Sequence, residues 1–73
     1  MQVMEEWHAI DSELRELRRR NADWSYIKSL PPKIREAVEI YIEKGDLREA
    51  QHASGLSLEE FVDVLRRAAV WTG

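Results

Sequence analysis

The run Ser57-Leu58-Glu59-Glu60 constrains this chain more than any other feature, because it fixes where a helix must begin. A serine at an N-cap accepts a hydrogen bond from the backbone N–H three residues on, and a glutamate at that position reaches back to the serine's own N–H. Leu56 and Phe61 flank the box at the spacing of a hydrophobic staple, which sets the angle at which the chain enters the helix. Gly55 just upstream, and Gly45 before it, supply the left-handed residue that ends a helix. Asp46 with Glu49 has the form of a second capping box, and Pro31-Pro32 breaks the chain and opens a further helix, since proline is tolerated in a first turn. The spacing therefore predicts helices over residues 32–44, over residues 46–54 and from residue 57 onward.

Apolar periodicity says how these helices pack. The helix at 32–44 carries Ile34, Ala37, Val38 and Tyr41 on one face with Ile40 and Ile42 beside it, a surface wide enough for a central element. The last helix sets Phe61, Val64, Leu65, Ala68 and Trp71 on one side and is expected to fray at Thr72-Gly73. Asn21, Ala22 and Asp23 interrupt the upstream pattern, after which Trp24, Tyr26, Ile27 and Leu30 suggest a short helical turn, which Asp23 can cap, or an ordered connection.

Residues 3–20 read differently. Val3, Trp7, Ile10, Leu14 and Leu17 alternate four and three apart, a heptad seam on an otherwise polar helix, and the stripe is narrow as in a coiled coil. These five residues are the candidate interface of a homodimer, with Trp7 as its anchor. Acids Glu5, Glu6, Asp11 and Glu13 precede the basic cluster Arg15, Arg18, Arg19 and Arg20, an order that suits the helix dipole. Paired antiparallel, two copies would set Glu against Arg; paired parallel, like would face like. The competing reading packs this stripe on the rest of the same chain and leaves the arginines as helix C-terminal charges.

No strand-like alternation, internal repeat or flexible linker is visible. The expected fold is all-α: a long N-terminal helix followed by a compact helical unit containing a helix-turn-helix. It forms one domain over residues 1–73, with the heptad helix at 1–20 and the helix-turn-helix unit at 32–73. At 73 residues the core is small. The 44% hydrophobic content is too high for a disordered chain, and no apolar run approaches the roughly 20 residues that span a bilayer. The start Met1-Gln2-Val3-Met4-Glu5-Glu6 lacks the basic and apolar regions of a secretory signal, so a cytoplasmic location without membrane association is expected. The absence of cysteine removes disulfides, thiolate metal sites and thiol catalysis.

Function narrows to binding. No phosphate loop, nucleophile elbow or zinc signature occurs, and Glu59 with Glu60 reads as a cap, so neither an enzyme nor a cofactor is expected. His8 and His52 have no metal-ligand spacing, and Glu5, His8 and Asp11 read as a solvated helical face, so no metal is expected. The remaining motif is the pair of short capped helices joined by Ser54-Gly55-Leu56-Ser57, the form of a helix-turn-helix. Leu47, Ala50, Leu56, Phe61 and Val64 then point inward, while Ser57, Leu58, Glu59, Glu60 and Asp63 lie at or near the exposed side.

The segment Leu47-Arg48-Glu49-Ala50-Gln51-His52-Ala53-Ser54-Gly55-Leu56-Ser57-Leu58-Glu59-Glu60-Phe61 resembles the helix-turn-helix of small prokaryotic DNA-binding regulators. Extended upstream through Leu30-Pro31-Pro32-Lys33-Ile34-Arg35-Glu36-Ala37-Val38 and downstream to Ala69, it is similar to small prokaryotic antitoxin-like proteins. The resemblance implies a transcriptional regulator from a toxin–antitoxin pair, with double-stranded DNA as one partner and a toxin protein as another.

The net charge of −3 gives no broad attraction to a polyanion, so any DNA contact must be local. The candidate DNA-binding residues are Arg48, Ser57, Lys33, Arg35, Arg66 and Arg67, while Glu59, Glu60 and Asp63 on the recognition helix oppose phosphate. The leading expectation is a dimeric DNA-binding regulator of antitoxin type. The alternative is a protein-interaction module, a helical adaptor or toxin-binding protein without DNA binding. Convergence of the five cations beside the exposed recognition face favours DNA; their scatter favours the interaction module.

Overall fold

The structure, a computed structural model, describes the backbone of residues 2–70 and the side chains of residues 12–70. Among the described residues it is all-helical, with α1 at Gln2–Asn21, α2 at Trp24–Ser29, α3 at Pro32–Lys44, α4 at Leu47–Ser54 and α5 at Leu58–Arg67. No helix is long and apolar enough to cross a membrane among the described residues.

α3 is the centre. It packs against α1, α2 and α4, and α5 packs against α4. Its buried face supplies Ala37, Val38, Tyr41 and Ile42 to a core completed by Ile27 from α2, Ala50 from α4, Phe61 and Leu65 from α5, and Ala68 and Val70 beyond it. Phe61 is fully buried with Leu56 packed against the same core, so the staple positions meet the apolar interior as their spacing requires.

Each helix boundary has a local cause. The Asp23 side chain accepts from the Tyr26 N–H at 3.1 Å and caps α2. Pro31 is extended and Pro32 begins α3, while Gly45 ends it at φ +70 with its N–H on the Tyr41 carbonyl at 2.8 Å. The Asp46 side chain accepts from the Glu49 N–H at 3.1 Å, but the return half of that box is not formed: the Glu49 carboxylate pairs with Lys44 at 3.0 Å. At Ser57 both halves are present, the hydroxyl accepting from the Glu60 N–H at 3.2 Å and the Glu60 carboxylate accepting from the Ser57 N–H at 3.1 Å.

The last helix is shorter than its apolar spacing predicts. It stops at Arg67 because Ala69 adopts the left-handed conformation, φ +58, and closes a Schellman turn. The Val70 N–H reaches the Leu65 carbonyl at 2.9 Å and the Ala69 N–H reaches the Arg66 carbonyl at 3.0 Å. Buried Val70 and Leu65 give this turn the apolar pair that accompanies the motif. The Asp23 N–H donates to the Ala68 carbonyl at 2.7 Å, tying the end of α5 to the junction between α1 and α2.

α1 is held to α3 by its last turns. Arg18 is only 6% exposed; its Nε donates to the Ile42 carbonyl at 3.0 Å and its guanidinium lies 5.7 Å from the centre of the Tyr41 ring. The cation therefore sits among the terminal carbonyls of α3, where the helix dipole favours positive charge. Next to it, Arg19 hydrogen-bonds Glu43, its Nε donating at 3.0 Å. Arg18 thus caps a neighbouring helix, and Arg19 pairs with a side chain of the same helix.

Candidate functional site

α4, the turn at 55–57 and α5 form the part of the molecule that holds most of the candidate binding residues. The turn is rigid for local reasons. Gly55 has φ +73, a conformation that strains any residue with a Cβ. The buried Ser54 hydroxyl accepts from the Leu56 N–H at 3.0 Å and donates to the Gln51 carbonyl at 2.6 Å. The Gln51 side-chain amide then bridges the turn, donating to the Leu56 carbonyl at 2.8 Å. Few backbone groups at this corner are left to water, so the angle between α4 and α5 is set by four consecutive hydrogen-bonded contacts with Gln51 as the brace.

Leu47, Arg48, Gln51, His52 and Leu58 line a shallow, open groove between α4 and the start of α5. Leu58 is 51% exposed, a large apolar side chain at the first position of α5 with no place in the core. Beyond it, Glu59, Glu60 and Asp63 are all exposed on α5. The Glu60 carboxyl is held below the usual glutamate range, chiefly by the Ser57 backbone N–H and then by the Ser57 hydroxyl, so this acid stays ionised under mildly acidic conditions.

The candidate cations divide. Lys33 is exposed on α3 with its Nζ beside Gly55, where a Cβ would approach to 3.1 Å, and Arg48 lines the groove. These two flank the N-terminal end of α5. Arg66 and Arg67 stand in its last turn, about 13 Å further along at 1.5 Å per residue. Arg67 is already paired with Asp63 at 3.1 Å. Arg35 is half-buried and lies about 200° round α3 from Lys33. The three exposed acids occupy the stretch between the two ends, and the Ser57 hydroxyl serves the cap of α5.

The seam of α1 is placed only in part. Leu14 is half-buried and Leu17 is 46% exposed, while the side chains of Val3, Trp7 and Ile10 lie outside those described, as do His8 and Trp71. Among the described residues no group of acids and histidines is arranged to hold a metal ion.

Two residues of consequence were missed in the sequence. Gln51 carries a usable signal, a long amide facing a turn five residues before Leu56. Arg18 carries none, because its partner carbonyl lies 24 residues away and only the packing of α1 on α3 brings them together.

No protein-family model matches the chain, and neither the curated proteins nor the solved structures contain a detectable match.

Proposed function

We propose that this chain is a helix-turn-helix protein of antitoxin type that acts as a protein-interaction module, its α4–α5 surface receiving a basic, amphipathic segment of a partner protein. One observation carries this reading: four of the five candidate cations stand at the two ends of α5, Lys33 and Arg48 at one and Arg66 and Arg67 at the other, and the exposed stretch between them carries Glu59, Glu60 and Asp63. A polyanion laid along α5 meets carboxylates first, which repel phosphate. A cationic helix laid there pairs with Glu59, competes with Arg67 for Asp63 and covers Leu58 with an apolar side chain, the helix-in-groove mode of recognition. A toxin protein, as the antitoxin resemblance implies, is one such partner.

A second reading, the DNA-binding regulator, is favoured by Lys33 and Arg48 at the N-terminal end of α5. That end is where a recognition helix approaches the duplex. Chemical-shift mapping separates the two. A synthetic Lys/Leu amphipathic peptide is expected to shift the amides of Leu47, Gln51, Leu58, Glu59 and Asp63, and Leu58→Ala with Asp63→Asn is expected to abolish the response. Shifts spread evenly over the surface, or unchanged in the double variant, overturn the proposal.

A further inference from the structure

Among the described residues, the apolar stripe of α1 leaves the face that joins α1 to the rest of the molecule at Leu17. In its C-terminal turns Arg18 is buried and makes the bond to α3, Arg15 and Leu14 are half-buried, and Leu17 is exposed. At 100° per residue, Leu14 lies about 40° and Leu17 about 100° round α1 from Arg18, so the stripe turns off the packed face at Leu17. Leu17 accordingly remains 46% exposed. The four-and-three spacing of Leu14 and Leu17 continues in the sequence through Ile10, Trp7 and Val3, a seven-residue repeat. α1 is about 30 Å long, its described contacts to α3 come from its last turns, and the molecule measures 43 × 23 × 18 Å.

We infer that this stripe is covered by α1 of a second copy of the chain, running antiparallel, and that the two folded units sit at opposite ends of the pair. Charge decides the occupant and the sense. Glu6 and Arg20 border the stripe on the same side, two heptads apart. In the antiparallel register, position 14 lies against position 10 of the second copy and position 17 against position 7. Glu6 then meets Arg20 of the second copy, twice by symmetry. Asp11 and Glu13 each meet their own counterpart, two like-charge contacts that the two Glu6–Arg20 pairs offset on edges that salt screens alike. In the parallel sense Glu6 faces Asp11 of the second copy, and the cation that would answer Glu13 is Arg18, already buried on α3. Parallel pairing therefore keeps its repulsions and loses its attraction. This inference is independent of which partner the α4–α5 surface takes.

Light scattering coupled to size-exclusion chromatography is expected to give about 17 kDa, twice the 8.6 kDa of one chain. Trp7→Ala with Leu14→Ala is expected to halve that mass while keeping the cooperative urea transition of the folded unit, because the stripe contributes nothing described to the core. The chain contains no cysteine, so introduced thiols are its only ones. Ile10→Cys mixed with Leu14→Cys is expected to form a disulfide between the two variants, while each variant alone cross-links slowly. A monomeric wild type, or a double variant of unchanged mass, overturns the dimer. Rapid cross-linking of Leu14→Cys alone reports parallel pairing and overturns the proposed sense.

Discussion

Ala69 holds a left-handed backbone without being glycine, and it does so because the bonds from Val70 and Ala69 and the burial of Val70 all require the turn there. An L-residue pays roughly 1–2 kcal/mol for that conformation, part of which glycine returns as chain entropy when unfolded. Ala69→Gly is therefore expected to raise stability by about 1 kcal/mol in urea unfolding; a loss of stability would mean that the Ala69 side chain contributes packing of its own. Glu60 gives the pH dependence of the same region. Its carboxyl sits below the usual range through its bonds with Ser57, so its contribution is complete above the unfolded value, about 4.3. That contribution is lost as pH falls through the lower folded value. Glu60→Gln keeps an amide able to accept from the Ser57 N–H but removes the titration. The variant is thus expected to show a flatter decline of stability on acidification below about pH 4.3 than the wild type, measured by urea midpoints across that window.

Among the elements, the joint between α1 and α3 is bridged by Arg18 and Arg19, of which Arg18 is the buried one. Arg18→Met removes the donor to the Ile42 carbonyl and the cation over Tyr41 while keeping an unbranched apolar stem. The expected cost is about 2 kcal/mol, the range for a hydrogen bond with a charged partner. An unchanged urea midpoint would show that α1 is held by other contacts. The three helices from residue 32 onward were legible in the sequence because their boundaries are written in local chemistry: prolines at 31–32, glycine at 45 and 55, Asp46 and Ser57 as caps. α2 was legible through Asp23 for the same reason. The early stop of α5 was not, because an alanine at φ +58 has no composition signal and is fixed by the contacts of Val70 and Leu65. Of the candidate site, exposure of the acids on α5 follows from periodicity. Its brace at Gln51 and the consumption of Arg18 and Arg19 by α3 depend on tertiary placement and required the structure.

At the scale of the whole molecule, charge placement governs what it can bind. Arg18 and Arg19 serve α3, Arg67 serves Asp63 and Lys44 serves Glu49, so part of the positive charge of a chain with net −3 is spent internally. Lys33, Arg48 and Arg66 make no ion pair among the described residues, and they stand on either side of an acidic stretch. The central claim is that this stretch of α5 faces a protein and turns away a polyanion. The direct test is fluorescence anisotropy of a labelled duplex DNA titrated with the full chain at about 50 mM salt, where even sequence-independent binding is strong. The account predicts no saturable rise in anisotropy for the wild type. Saturable binding that weakens steeply between about 50 and 200 mM salt would contradict it and assign α4–α5 to DNA.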